Sequence, residues 1–221
     1  MINSLLKNYA LELTKLNELL QNNYEFVFNK ENLNKDYSQI KAIVVMDNPG
    51  IEEKEQKKYL VGTAGKAFNK VWGEIGLKRE EVLIFNKSSL STPSTNNLME
   101  CYDNSTMQTL FLEEQKKVFE LIITIRNHLD VPLLIHGYSA YVKGNKIYVE
   151  NEKSSRPLYL FFKLLKEEKN ANKFTYFYKH SSYGNLSKQV SNYKKIHDKK
   201  KVDFNDYLDL GSEVSKIFFS K

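Results

Sequence analysis

The chain is poor in the side chains that hold metals and disulfides. Its 221 residues include one cysteine, Cys101, and four histidines. A single thiol excludes an intramolecular disulfide framework, a four-cysteine zinc site and a cysteine-ligated iron–sulfur cluster. It also fits a reducing compartment. There is no His-Glu-x-x-His and no His/Cys cluster, so neither metal nor other cofactor is expected. No window approaches the roughly 18 consecutive apolar residues of a membrane-spanning helix. The opening MINSLLKNYALELTKLNELLQ is interrupted by Lys, Asn and Glu, and no small-residue cleavage site follows, so it does not read as a secretory signal. A cytoplasmic protein with no membrane partner is expected. No internal repeat or linker divides the chain, and a single domain over 1–221 follows.

What is present is an ordinary globular composition with a high aromatic load: 41% hydrophobic and 27% charged residues, with Tyr 14 and Phe 13. Lys+Arg 33 against Asp+Glu 27 gives +6, a balance that permits nucleic acid without demanding it. Leu5, Leu6, Ala10, Leu13 and Leu16 recur at helical spacing, predicting a helix over 3–22. Lys41–Met46, Glu81–Phe85, Val131–His136 and Phe174–Tyr178 are short apolar runs that read as buried parallel strands, and Ile147–Val149 as a short strand or hairpin arm. Between and after them, Ala64–Ile75, Thr109–Leu129, Arg156–Glu168 and Asp206–Phe219 read as helices, and His180–Gln189 as a polar loop. Strands alternating with helices predict a three-layer α/β/α domain around a mainly parallel four-stranded sheet. Ligands of such sheets bind outside the carboxyl ends of the strands. Those ends carry Asp47-Asn48-Pro49-Gly50, Asn86-Lys87-Ser88-Ser89, His136-Gly137 and His180-Ser181-Ser182-Tyr183. Gly62-Thr63-Ala64-Gly65-Lys66 lacks the spacing of a phosphate-binding loop, so a nucleoside-triphosphate site is excluded.

The ordered set Asn48-Pro49-Gly50, Leu60–Gly65, Ile75–Val82, Asn86 and His180-Ser181-Ser182 resembles the motifs of the uracil-DNA glycosylase superfamily across about residues 41–190. The likeness mixes features of its iron–sulfur branch with the Asn-before-Pro of the mismatch-specific and single-strand-selective branches. The chain departs from the family in lacking the cluster cysteines, in Leu60 where an aromatic is usual, and in Ser181 where the histidine motif has proline. The resemblance implies a monomeric DNA-repair enzyme that hydrolyses the N-glycosidic bond of uracil, or a related damaged pyrimidine, after flipping it from DNA. A catalytically inactive nucleic-acid- or protein-binding member of the same fold is the alternative, and hydrolysis of a small nucleoside-like molecule a third.

That chemistry separates an oxocarbenium-like sugar from an anionic base, admits a water, and holds the flipped base on a polar edge and an aromatic face. By the resemblance, Asn48 positions the water, Asp47 is a possible base or opposes the cationic sugar, and His180 donates a hydrogen bond to the base. His136 is the rival histidine, read as structural. Asn86, whose amide offers donor and acceptor, would read the pyrimidine edge. Tyr59 is the expected stacking aromatic and Phe68 the alternative, although its helical spacing with Val71, Trp72 and Ile75 favours the core. Gly50 belongs to the substrate-binding turn. Ser88, Ser89, Ser181 and Ser182 are candidate phosphate contacts. Tyr183 and Leu186 are candidates for an apolar wedge that fills the space of the flipped base. The lysine-rich stretch Tyr193–Lys201 would add sequence-independent attraction to DNA.

Overall fold

The computed structural model describes residues 1–20, 24–144, 146–149, 156–180 and 184–220. Four apolar segments, β2 (Ala42–Met46), β3 (Val82–Asn86), β5 (Leu133–His136) and β8 (Thr175–Tyr178), pair in the order β3-β2-β5-β8, every pair parallel. Register places Met46 beside Asn86 and His136 beside Tyr178. Short antiparallel pairs join β1 (Glu25–Phe26) to β4 (Leu90–Ser91) and β6 (Val142–Lys143) to β7 (Lys146–Ile147).

Alternate strand residues face opposite layers, as a period of two requires. Ile43, Val45, Leu83, Phe85, Leu133 and Ile135 pack with α1 (Ile2–Leu19), α4 (Ser105–Leu129) and α5 (Tyr159–Glu167). Ala42, Val44, Met46, Val82, Ile84 and Leu134 face α3 (Gly62–Ile75), α6 (Asn185–Ile196) and α7 (Phe204–Phe218). The result is the expected three-layer α/β/α arrangement. Edge strand β3 is covered rather than open: Asn32 Nδ2 and Asn29 Nδ2 both donate to the Ile84 carbonyl, and the Ile84 N–H donates to Asn32 Oδ1. Borrowed side-chain amides thus occupy groups that would otherwise template another chain.

One segment differs from the sequence expectation, and one that carried none is helical. The polar 185–189 stretch opens α6, whose buried side is only Leu186, Val190 and Tyr193. The charged run after Gly50 forms α2 (Ile51–Gln56), stabilised where Glu53 accepts from the Gly50 N–H at 2.9 Å. Among the described residues no helix is long and apolar enough to cross a membrane.

Candidate functional site

All four parallel strands end at one carboxylate. Asp47 follows β2. Lys87, following β3, donates from Nζ to Asp47 Oδ1 and to the His136 carbonyl at the end of β5. Gly137, the residue after β5, has φ +79, and a Cβ there would overlap both Asp47 carboxylate oxygens. A bare backbone in a left-handed conformation therefore lets the carboxylate settle against it. His180, just beyond β8, brings Nε2 to 3.8 Å from Asp47 Oδ2. The lysine side chain is fully buried, whereas Asp47 is 14% exposed. Burial pushes the Lys87 pKa down, and the Asp47 charge and hydrogen bond oppose that push.

Beside this carboxylate lies a cavity of about 860 Å³. Its walls include Asp47, Asn48, Gly50, Leu60, Thr92 and His180. One wall, 59–62, is held from behind. Glu53 accepts from the Leu60 N–H, while Arg79 donates to the Tyr59 carbonyl at 2.6 Å and the Leu60 carbonyl at 3.0 Å. Burial raises the Glu53 pKa against those backbone hydrogen bonds.

Asp47, Asn48, Gly50 and His180 therefore meet at one cavity. Other expected residues do not. Tyr59 is buried, with its hydroxyl donating to the Val27 carbonyl, so its ring belongs to the core and cannot stack a base. Ser88 donates to Glu114 Oε2 at 2.6 Å and is buried, as is Ser89, so neither grips phosphate. Leu186 is core and is no wedge. Asn86 is 1% exposed and absent from the cavity wall; its Nδ2 has no hydrogen-bond partner among the described residues. Asn48 lines the cavity but its amide is occupied at both ends by Thr92 and Thr95, which conflicts with its expected water-positioning role. Ser181, Ser182 and Tyr183 lie outside the described residues. Phe68 is core, edge-on to the buried His136 ring at 4.6 Å.

No protein-family model and no curated protein matches this chain.

Two buried ionisable side chains at or behind the strand ends carried no sequence signal. Lys87 reads as one more polar residue of a strand-end loop. Glu114 sits mid-helix in α4, yet it is fully buried and accepts from Tyr9 Oη at 2.6 Å and the Ser89 N–H at 2.9 Å as well as from Ser88. Burial raises its pKa against these hydrogen bonds. It ties the segment after β3 to α4 and α1. Among the described residues no cluster of three His, Cys, Asp or Glu gathers to hold a metal ion.

Proposed function

We propose that the protein is a DNA glycosylase that hydrolyses the N-glycosidic bond of uracil or a related damaged pyrimidine. The observation that carries this reading is the Asp47 carboxylate, anchored at four converging strand ends and facing both His180 and an open cavity. The ordered motifs across 41–190 support the same reading. In it, the Asp47 carboxylate opposes the positive charge that develops on the sugar, and Oδ2 accepts a hydrogen bond from the attacking water. His180 donates to the departing base, where the glycosidic electron pair collects. Water supplies the hydroxyl at C1′ and the proton that the base finally takes up. Each of these contributions is worth about 10²–10³ in rate.

One observation favours a second reading, a non-catalytic binding protein on this scaffold. Among the described residues the cavity wall contains no Phe, Tyr or Trp on which a base would stack. A single experiment separates the two. The protein is incubated with oligonucleotides containing uracil, hypoxanthine or mismatches, and abasic sites are revealed by alkaline cleavage. Abasic product that is lost in Asp47→Asn and His180→Ala supports the glycosylase. Binding without abasic product on any substrate supports the alternative.

A further inference from the structure

We infer that Lys87 is a positioning residue that fixes the orientation of the Asp47 carboxylate. The kinetic part of this inference rests on the glycosylase reading; its structural part does not. A buried ammonium is costly unless its hydrogen bonds are closed. Here Nζ donates to Asp47 Oδ1 and to the His136 carbonyl, two of its three N–H groups, with the Phe162 ring centroid 5.2 Å away. The lysine main chain is equally held. Its N–H donates to the Met46 carbonyl at 2.9 Å, the next N–H, of Ser88, donates to the Asp47 carbonyl at 3.3 Å, and Glu114 grips Ser88 and Ser89 from α4.

Lys87 is therefore a rigid post, and Asp47 is the solvent-facing end of a pair whose dry end is the lysine. With Oδ1 taken, the carboxylate presents Oδ2 on the side of His180. A charge aimed before the reaction needs no reorganisation during it, which is how such groups contribute to rate. Lys87 itself is not placed to be an amine nucleophile, because its side chain has no exposure to the cavity.

The test is a double-mutant cycle of Lys87→Met and Asp47→Asn, read by single-turnover excision and DNA affinity on a substrate that the wild type cleaves. A crystal structure of Lys87→Met accompanies it. Lys87→Met is expected to slow excision by about 10–100-fold with affinity little changed, and to have almost no effect once Asp47 is already Asn. In the crystal, the Asp47 carboxylate should leave its place against Gly137. Wild-type rates in Lys87→Met overturn the inference. So do additive losses in the cycle, an unmoved carboxylate, or a borohydride-trapped adduct on Lys87. If the wild type cleaves no oligonucleotide, the glycosylase reading falls and the crystal structure alone decides the role of Lys87. Should Lys87→Met not fold, Lys87→Gln, which keeps a donor but not the charge, replaces it in the same measurements.

Discussion

The Asn48 Nδ2 donates to the Thr92 hydroxyl at 2.8 Å. Its Oδ1 accepts from the Thr95 hydroxyl, also at 2.8 Å. An amide committed at both ends holds the 92–95 wall of the cavity against β2 and has little capacity left to orient a water. Asn48→Ala should therefore weaken DNA binding several-fold and lower stability by about 1–2 kcal/mol, while the rate of the bound complex changes little. Asp47→Asn should do the reverse, slowing single-turnover excision by about 10²–10³ with affinity retained. Measuring both variants decides the division of labour. A rate loss in Asn48→Ala as large as that in Asp47→Asn would return the water to Asn48.

With Leu186 in the core, the proposed base flipping would need its wedge from elsewhere. Ile51, the first residue of α2, is 55% exposed and lines the cavity, with Pro93 among the other lining residues. An exposed isoleucine at the head of the charged run EEKEQKK gains nothing from water and suits insertion between unstacked bases. Ile51→Ala should slow excision from duplex DNA by about tenfold, because unstacking is a duplex cost. Excision from single strands should be unchanged, and stability should shift by less than about 0.5 kcal/mol. Equal losses on both substrates would place Ile51 in base binding rather than in base flipping.

The wall that carries Leu60 depends on Arg79, which also pairs with Glu31 through Nη2 at 2.6 Å. Burial pushes the Glu31 pKa up, but hydrogen bonds from Arg79 and Lys35, then their charges, pull it down to about 2. A carboxylate with a lowered folded-state pKa stabilises the fold above its unfolded pKa, near 4.3–4.5, and loses that contribution as pH falls toward 2. The shift sets an upper bound of about 3 kcal/mol. Glu31→Gln should therefore destabilise the protein at pH 7 and make urea unfolding less pH-dependent between pH 4.5 and 2.5. An unchanged acid limb would mean that the Arg79 network contributes nothing net.

The parts of this architecture that were legible in the sequence are those that bury apolar runs. KAIVVM and VLIF had to lie between two layers, and the polar residues after them had to collect at one end of the sheet. That argument placed Asp47, Asn48, Gly50 and His180 at the strand ends together with Asn86, Ser88 and Ser89; it took the family resemblance to single them out. What was not legible depends on partners distant in sequence. Nothing near Lys87 or Glu114 announces that a charge will be buried, because Asp47 and the His136 carbonyl, or Tyr9 and Ser88, are brought up only by folding. Tyr59 looked available for stacking because the Val27 carbonyl that captures its hydroxyl lies 32 residues away. Helix α6 was hidden because only Leu186, Val190 and Tyr193 mark its inner face.

His136 supplies the last prediction. Its ring is fully buried, stacked on Tyr178 at 4.9 Å and edge-on to Phe68. Nδ1 lies 3.3 Å from the Lys179 carbonyl, and a carbonyl only accepts, so Nδ1 carries a proton. Burial holds its pKa well below the usual histidine range, the hydrogen bond to Lys179 opposes this, and the nearby charges of Lys87 and His180 add to the lowering. The unfolded chain binds a proton at about pH 6.5 that the folded chain refuses. The contribution of His136 to stability is thus complete above that pH and declines below it, by up to about 1.4 kcal/mol per pH unit. Because this ring holds the main chain that carries His180, acid should loosen the site as it loosens the fold. Urea midpoints of the wild type should fall between pH 7.5 and pH 5. In His136→Phe, which keeps a ring between Tyr178 and Phe68 without the titrating group, that fall should shrink even though the loss of the Lys179 hydrogen bond lowers stability at pH 7.5. Parallel pH slopes in the two proteins would show that His136 takes up its proton without unfolding.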